Sequence, residues 1–482
     1  MKPRMPTSRN AHRSGGRTKL RRRRHVVGVI GAILLSAVLL PGPAAALDAE
    51  TVFRNAVAYT VKIKTRITTA FIEDKKGSYS GAGFVVDAKR GWIMTNAHVV
   101  GHSPATVTVA FKGKPFVKVR KVYVDPYLDL AVLKIDPSAV DADLAAAPLG
   151  CRRDPPVGHP IGAFGHPFGL DFTGTRGIIS ATASNGPGML QMDASINPGN
   201  SGGPLISLKS GHVVGINTAS LGRGSNQNTN FAVPMVFACR ILKILQAGGN
   251  PSPPHLPVAF LIPPVDRKAV IVGRTYLPAA RLPLKAGDEI VSANGGSGRI
   301  VNETQLIHAL RGNLGDVRLG ILRKGEKHTI RGDLKPAPYI TDRLAVRVSG
   351  MLVGPRVIRD GQAINADNGL VIHHVDPGST ADSLGFATWD VVTTVNGERH
   401  SSVRTLFRQL TETKKQGRKV RIEIVRASAS YGAWFNYMDR EFAIEGLDLI
   451  AGQGNYTSQQ TAEAGPPVDP AKPALSTPAA AP

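Results

Sequence analysis

Short β-rich runs separated by glycine-containing turns fill residues 48–247, and they constrain the fold more than any other feature. Many of these runs are rich in Val, Ile and Thr and bounded by Gly, Pro or Asp, as strands are. The clearest are Val57–Ile67, Gly83–Asp87, Ile93–Thr95, Ala105–Phe111, Ala131–Ile135 and Val213–Asn217. Strands of this length and spacing predict an all-β barrel or sandwich. A helical pattern at Pro234–Gln246, followed by two glycines, closes the segment.

Two stretches further along the chain resemble each other at an offset of about 102 residues, counted between Asn294 and Asn396. Each reads as a strand, an Asn-Gly turn, an amphipathic helix and a second strand. The repeat predicts two copies of a small α+β module. We call residues 250–336 the first module and residues 337–450 the second module.

The N-terminus reads as an export signal. A basic segment ends in Arg21–Arg24, and an apolar run of 15 residues, Val26–Leu40, follows it. Small residues then lead to a cleavage site that we predict after Ala46. Fifteen residues are short of the ~20 that a membrane-spanning helix needs, although an uncleaved anchor remains the alternative.

The net charge of +24 is concentrated at this N-terminus. Residues 1–47 hold ten Lys and Arg and no acidic residue. The remaining 49 basic and 35 acidic residues leave +14, spread over more than 400 residues. No basic run among them is interleaved with aromatic residues as a base-stacking surface requires. We therefore expect no nucleic-acid partner.

Cys151 and Cys239 are the two cysteines, and both lie in the β-rich segment. Export would permit a disulfide, so one bridge and two unpaired thiols are both open interpretations. Neither cysteine lies beside a histidine or another cysteine at metal-ligand spacing. We expect no metal and no other cofactor.

One serine surrounded by glycines, Ser201 in NPGNSGGPL, is the sharpest chemical signal in the sequence. Glycines permit backbone conformations that aim N–H groups at a developing oxyanion. Such a serine needs a base, and His98 in TNAHVV has the suitable side chain. Asp129, directly before an apolar strand, would orient that base. Asp125 competes for this role, but it precedes a proline in the loop, away from the strand.

Eight strings in order resemble the HtrA (DegP/DegS/DegQ) family of trypsin-like serine proteases. They are GAGFVVD (81–87), IMTNAHVV (93–100), LDLAVLKI (128–135), GAFGHPFGL (162–170), GIISA (177–181), QMDASINPGNSGGPL (191–205), VVGINTA (213–219) and NFAVP (230–234). The two modules resemble the PDZ domains of that family. The resemblance implies a multidomain chain, with an all-β trypsin-like double β-barrel protease domain followed by two small α+β PDZ-like domains.

The resemblance also implies roles for individual residues. His98 would be the general base, Asp129 its orienting carboxylate and Ser201 the nucleophile. The backbone N–H groups of Gly199, Asn200 and Ser201 would form the oxyanion hole. Asn200 replaces an acidic residue that would pair with a newly cut N-terminus, so activation by that route is not expected.

The resemblance places the primary-specificity pocket between segments 177–179, 190–193, 215–217 and 230–232. Its proposed lining residues are Ile216, Asn217, Asn230, Phe231 and Ala232. None of them supplies a carboxylate at the pocket base, and Asp193 is the nearest acidic residue. We therefore expect cleavage after small or medium aliphatic residues.

PDZ domains bind extended peptides by adding a strand to a sheet edge. In the first module the corresponding string, Leu256–Phe260, has a proline where an N–H donor is needed. The string at Ser349–Leu352 in the second module fits better. We therefore expect Gly350, Met351 and Leu352 to hold hydrophobic C-terminal peptides, with the first module degenerate.

These interpretations divide the chain into a signal peptide (1–46), a protease domain (47–249), two PDZ-like domains (250–336 and 337–450) and a disordered tail (451–482). The tail is rich in Ala, Pro, Thr and Gln. We expect an exported serine endopeptidase of the bacterial periplasm or cell envelope, forming a homotrimer or higher oligomer. Its expected substrates are unfolded, damaged or mislocalised proteins, in envelope protein quality control. A membrane-tethered regulatory protease cutting a signalling partner, and a protease-like chaperone without turnover, are the alternatives.

Overall fold

A computed structural model provides the structure of the chain. It describes residues 48–125, 127–139, 144–166, 172–182, 188–220, 229–256, 258–261, 268–275, 282–296, 298–337, 340–355, 370–400, 402–428, 434–451 and 454–456. The predicted export signal, and the predicted tail beyond residue 456, lie outside these ranges. None of the helices within them has the length and apolar character that crossing a bilayer requires.

The first half of the β-rich segment forms a closed barrel of six strands in the order β1-β2-β3-β6-β5-β4. The strands are β1 Thr60–Ile67, β2 Gly77–Asp87, β3 Trp92–Thr95, β4 Thr106–Ala110, β5 Val117–Asp125 and β6 Leu130–Lys134. Helix α1, Ala49–Ala56, precedes the barrel, and the short helix α2, Ala97–Val100, follows β3. A 3-10 turn at Pro137–Ala139 follows β6.

The second half forms another closed six-stranded barrel, in the order β10-β11-β12-β9-β8-β7. Its strands are β7 Pro160–Gly165, β8 Thr173–Ala181, β9 Leu190–Met192, β10 Pro204–Ser207, β11 Val213–Ser220 and β12 Asn230–Pro234. The predicted closing helix is α3, Met235–Gln246. Two closed barrels confirm the predicted all-β fold, and we refer to them together as the two-barrel domain.

Apolar packing joins the two barrels and the flanking helices. The run Leu130–Leu133 in β6 is fully buried on both faces of its strand. From α1, the ring of Phe53 stacks on that of Phe164 in β7, with 5.7 Å between ring centroids. A side chain at Gly162 would meet the Phe53 ring, because an added Cβ would lie 2.4 Å from it. Glycine in β7 therefore lets α1 approach the second barrel closely.

A disulfide resolves the alternatives left open for the two cysteines. Cys151 is bonded to Cys239 in α3, across a separation of 88 residues. The bond ties the helix that closes the two-barrel domain to the segment that precedes β7. Cross-linking a loop of this length removes conformational entropy from the unfolded chain.

The first module is a five-stranded sheet in the order β14-β15-β16-β17-β18, with a separate two-stranded pair, β13 and β19. Its elements are β13 Pro254–His255, β14 Val258–Phe260, β15 Val270–Thr275, β16 Glu289–Ala293, α4 Glu303–Leu310, β17 Val317–Arg323, β18 Glu326–Gly332 and β19 Lys335–Pro336. The predicted strand, turn, helix and strand are all present.

The second module is larger and extends past its expected end at residue 450 into the expected tail, with eight strands in the order β25-β24-β23-β22-β21-β20-β26-β27. After a 3-10 turn at Ile340–Asp342, its elements are β20 Leu344–Val348, β21 Met351–Pro355, β22 Leu370–Val375, α5 Thr380–Ser383, β23 Val391–Val395, α6 Val403–Lys415, β24 Val420–Ser428, β25 Trp434–Phe442, β26 Leu447–Ala451 and β27 Gly454–Tyr456.

The same contacts recur in both modules, which supports the duplication. Asn294 and Asn396 have φ values of 50° and 51°, each followed by a glycine with positive φ, as an Asn-Gly hairpin turn requires. Arg323 pairs with Asp288 in the first module at 2.8 Å. The corresponding pair in the second module, between the Nε of one arginine and a buried carboxylate, is Arg426–Asp390 at 2.6 Å.

Each module contacts the two-barrel domain through one buried arginine. Arg311 of the first module pairs with Asp125 at the end of β5, at 2.6 Å. Arg343 of the second module pairs with Glu73, between β1 and β2, at 2.7 Å. The Arg343 guanidinium also lies over the ring of Phe71, 4.2 Å from its centroid.

A histidine lies in each of these contacts. The His308 ring packs on Phe237 of α3, with 4.4 Å between centroids. The His373 ring meets the Phe71 ring edge-on at 4.9 Å. Burial, reinforced by neighbouring arginines, lowers the pKa of His308 to about 3. Burial, together with the charge of Arg343, lowers the pKa of His373 to about 3 as well.

We expect acid to destabilise the contacts between the modules and the two-barrel domain. Between about pH 6.5 and 3, the unfolded chain binds protons at His308 and His373 that the folded chain does not, so stability falls as the pH falls. For each histidine, the unfolding free energy can fall by at most about 1.4 kcal/mol for each pH unit. Melting temperatures measured from pH 7 to 4.5 should fall less in a double H308Q/H373Q variant than in the parent. The exposed His255→Gln control should keep the parental acid dependence, and equal acid sensitivity in all three proteins would contradict the expectation.

Removing the disulfide should destabilise the two-barrel domain. We expect a double C151S/C239S variant to lose about 2–4 kcal/mol of unfolding free energy, because the closed loop is long. Urea unfolding followed by tryptophan fluorescence measures the change. Parent protein treated with reductant should unfold at the same urea concentration as the variant. An unchanged midpoint in the variant would show that the bond adds no stability.

Candidate active site

Antiparallel pairing of β3 with β6 brings His98 and Asp129 together. Thr95, at the end of β3, pairs with Ala131 in β6, so α2 begins beside the start of β6. The Nδ1 atom of His98 lies 2.8 Å from Oδ2 of Asp129. The His98 backbone N–H also donates to Asp129 Oδ1, at 2.9 Å. One carboxylate therefore fixes both the ring and the main chain of the histidine.

Ser201 lies between β9 and β10, and a backbone hydrogen bond joins it to the first barrel. The backbone N–H of Ala82 in β2 donates to the Ser201 carbonyl at 2.8 Å. The next residue, Gly202, has a φ of 84°. An added Cβ there would lie 2.1 Å from Thr95 Oγ1. Only glycine fits, because both the left-handed backbone and the close approach exclude a side chain.

The Ser201 hydroxyl does not contact the histidine in this arrangement. Its Oγ donates to the Thr218 carbonyl at 3.2 Å. Within the described part of the chain, no hydrogen bond joins Ser201 Oγ to His98. The three predicted residues thus lie around one site, with the serine turned toward β11.

Thr218 is a site residue that the sequence reasoning missed. Its Oγ1 donates to Asp129 Oδ2 at 2.6 Å, while its carbonyl accepts the Ser201 hydroxyl. It is buried in β11 and so connects the second barrel to the carboxylate of the first. The string VVGINTA contains it, but neither its residue type nor its position in the string indicates this contact.

Asp125 does not face the histidine. Its Oδ1 accepts hydrogen bonds from the N–H groups of Tyr127 and Leu128, at 2.9 and 2.8 Å. Its Oδ2 accepts from the Tyr123 hydroxyl at 2.7 Å and pairs with Arg311. Of the two carboxylates weighed from the sequence, Asp129 is therefore the one that contacts His98.

The three expected oxyanion donors differ in what they bind. The Asn200 N–H donates to the Asn197 carbonyl at 2.9 Å, closing a turn. Gly199 has a φ of 108°, and its carbonyl accepts the His166 N–H at 3.1 Å. Among the described residues, the N–H groups of Gly199 and Ser201 make no hydrogen bond. Within the described part of the chain, neither group therefore has a competing hydrogen-bond partner.

The residues expected to line the specificity pocket belong to β11 and β12, and all of them are buried. They are Ile216, Asn217, Asn230, Phe231 and Ala232. The Asn217 amide donates to two carbonyls of the barrel at 3.2 and 3.3 Å. The Asn230 amide donates to Ala194 O at 2.9 Å. Both amides therefore hold the barrel together. Asp193 is exposed, and its Oδ1 accepts the Ile178 N–H at 2.7 Å.

In the second module, the residues expected to bind a peptide lie in a tight turn and in a strand that is paired on both edges. Gly350, with the preceding serine, forms a two-residue turn between β20 and β21, because Val348 pairs directly with Met351. Met351 and Leu352 are buried in β21, at 0% and 2% exposure. β21 is hydrogen-bonded to β20 on one edge and to β22 on the other. It offers no edge for an added strand, because β20 occupies that position.

The first module has the opposite arrangement. β14, Val258–Phe260, is the outermost strand of its five-stranded sheet and pairs on one side only, with β15, within the described residues. The string that the sequence reasoning considered degenerate therefore lies at a sheet edge. The proline of that string, residue 257, lies outside the described ranges.

No group of histidine, cysteine and acidic side chains in the described ranges is arranged to hold a metal ion. The site itself presents four kinds of protein group. Those groups are a hydroxyl, an imidazole, a carboxylate and two backbone donors.

Comparisons with known proteins agree with this geometry. A family model described as a trypsin-like peptidase domain matches residues 81–216, which include His98, Asp129 and Ser201. A PDZ domain model matches residues 353–443, within the second module. The double barrel is therefore trypsin-like, and a PDZ domain follows it.

Curated relatives match most of the chain. A Marinomonas sp. (strain MWYL1) protein named "Probable periplasmic serine endoprotease DegP-like" is 32% identical over 387 residues, covering 74% of this chain and 79% of its own. A protein of the same name from Halomonas elongata is 33% identical over 381 residues, covering 73% and 77%. The crystal structure of a serine endoprotease from Yersinia pestis matches at 27% identity and a TM-score of 0.46, covering 60% of this chain and 98% of that one. On the sequence relatives and the two domain matches, the chain belongs to the HtrA, or DegP-like, family of trypsin-like serine endopeptidases.

Proposed function

We propose that the chain hydrolyses peptide bonds through an acyl-enzyme formed on Ser201, with His98 as general base and Asp129 orienting it. The observation that carries this proposal is the shared carboxylate, which takes hydrogen bonds from the ring and backbone of His98 and from Thr218. A carboxylate at Nδ1 holds the neutral imidazole in the tautomer whose Nε2 can accept a proton. It also stabilises the imidazolium that forms.

Catalysis requires the serine hydroxyl to leave Thr218. In the attacking rotamer, Ser201 Oγ would transfer its proton to His98 Nε2 as its oxygen bonds to the substrate carbonyl carbon. The resulting oxyanion would lie against the N–H groups of Gly199 and Ser201. His98 then gives the proton to the leaving amine, and a water molecule, deprotonated by the same ring, releases the acyl group.

We further propose that the substrates are unfolded or damaged proteins, cut after small or medium aliphatic residues in envelope protein quality control. Support for the pocket preference is chemical, since none of the five predicted lining residues is acidic. Export to a bacterial periplasm is supported by the signal-like residues 1–46 and by the names of the relatives. Assembly as a homotrimer or higher oligomer is part of the same proposal and rests on the family.

For peptide recognition we propose the first module instead of the second. Strand addition needs an unpaired edge; within the described part of the chain β14 has one, and β21 does not. Hydrophobic C-terminal peptides would then extend the five-stranded sheet beyond β14. Their residues would alternate between the sheet face and solvent, as strand geometry requires.

Replacing the nucleophile tests the proposed mechanism directly. Purified residues 47–482 should degrade reduced casein, and the Ser201→Ala variant should not, because the attacking oxygen is gone. A fluorophosphonate probe should label the parent protein alone. The matched control is Ser210→Ala, an exposed serine in the turn after β10, which should keep parental activity. Casein degradation by the Ser201→Ala protein would refute the acyl-enzyme proposal.

Thr218 provides a second, quantitative test. The Thr218→Val change keeps the shape but removes the hydrogen bond to Asp129, and hydrogen bonds to charged groups contribute about 1.5–3 kcal/mol. We expect kcat on a short chromogenic peptide to fall by about tenfold or more, with little change in KM. Thr108→Val, in the first barrel, is the control, since Thr108 bonds only weakly to Lys64 O, at 3.4 Å. A parental kcat in the Thr218→Val protein would exclude a role for this contact.

A further inference from the structure

The first module inserts a charged side chain into the two-barrel domain. Arg311 caps the C-terminus of α4, and its side chain and that of Asp125 are both 0% exposed. Its Nη1 lies 2.6 Å from Asp125 Oδ2, donates to Pro251 O at 2.5 Å and reaches the Tyr123 hydroxyl at 3.2 Å. A buried arginine with these partners is placed precisely, because each contact fixes its direction.

The main chain of Arg311 is held as firmly as its side chain. Arg240, on α3 of the two-barrel domain, donates through Nη2 to Arg311 O at 2.7 Å and to Ala309 O at 3.3 Å. Burial favours the neutral form of Arg311, but the charge of Asp125 and the hydrogen bonds to Asp125 and Tyr123 outweigh it and raise the pKa of Arg311. The guanidinium is therefore charged, and the end of α4 that carries it is hydrogen-bonded to α3.

Asp125, the partner of Arg311, stabilises the turn that precedes Asp129. While Oδ2 of Asp125 faces Arg311, Oδ1 accepts the N–H groups of Tyr127 and Leu128. The next residue, Asp129, has a φ of 50°. A non-glycine residue keeps such a backbone only where its surroundings determine it. The two hydrogen bonds to Asp125 supply that constraint on the N-terminal side of Asp129.

We propose that Arg311 is a positioning residue for the protease reaction, which acts by neutralising Asp125 and so holding the turn that presents Asp129 to His98. The inference rests on the proposed role of Asp129. An unpaired carboxylate is unstable in a fully buried site. Without Arg311, the unpaired carboxylate of Asp125 would move toward solvent, and the turn would lose its acceptor. The first module thus contributes to the rate of the chemical step, separately from any capture of substrate.

The test compares single and double variants of this pair in residues 47–482. On a short chromogenic peptide, Arg311→Met should lower kcat by about tenfold or more, because small displacements of catalytic groups have large effects on rate. KM should change by less than about twofold, since the pocket strands β11 and β12 lie elsewhere. Arg311→Lys, which keeps the charge, should retain most of the rate. The rate of Ser201 labelling by a fluorophosphonate should fall in parallel with kcat.

A double variant separates positioning from general stability. In D125N/R311M the amide oxygen can still accept the Tyr127 and Leu128 N–H groups, and no buried charge needs a partner. We expect this protein to recover most of the kcat that Arg311→Met loses. The matched control is Arg323→Met, which breaks the arginine–aspartate pair within the first module and should leave kcat unchanged.

Each outcome decides the proposal. A parental kcat in Arg311→Met, an equal loss of kcat in Arg323→Met, or a change in KM alone would overturn it. Where Arg311→Met does not fold, the Arg311→Lys and double variants decide, and a double variant that folds without recovering kcat overturns the proposal. The control for the underlying mechanism is Ser201→Ala: activity in that variant refutes the proposed function, whereas an inert Ser201→Ala with a fully active Arg311→Met refutes only the positioning role.

Discussion

The carboxylate of Asp129 is the group on which the arrangement of the site depends. It accepts hydrogen bonds from the backbone N–H and the ring of His98, which belong to the first barrel, and from the hydroxyl of Thr218 in the second barrel. Its two oxygens therefore join elements that no single strand could bring together. Because the charge is satisfied by three donors, the histidine has one preferred orientation before any substrate arrives. The barrels act mainly as rigid supports for this one anion.

Local patterns carried most of what the sequence could predict. His98, Asp129 and Ser201 each lie in a short string whose neighbours fix the local backbone, so the residues and the barrels around them could be identified. Long-range pairing could not be read in this way. That β20 pairs with β21 depends on a hairpin turn at Ser349, and that it also pairs with β26 depends on residues about a hundred positions away. The peptide site expected from the sequence therefore lies at β21, a strand that has a neighbouring strand on each side.

Single contacts between distant elements were equally invisible. Arg311 and Asp125 belong to different domains, and an isolated arginine at a helix end has no pattern that names its partner. Thr218 is one of many threonines in β-rich sequence, and only the closed barrel brings it to Asp129. The contact of the second module could not be predicted from the sequence either. Arg343 of that module pairs with Glu73, and the neighbouring Asp74 accepts the N–H groups of residues 102 and 103, just after α2. Both modules therefore contact segments that lie next to the proposed catalytic residues.

The bond between Cys151 and Cys239 links the folding of the chain to the compartment in which it folds. Thiols stay reduced in the cytosol and pair in oxidising compartments. Under the proposed export, a precursor that still carries residues 1–46 would therefore keep α3 without its cross-link while it remains in the cytosol. Outside the cytosol, oxidation would close the loop between these two cysteines, which lie 88 residues apart in the sequence. The stabilisation expected from this bond would then begin only after the proposed export.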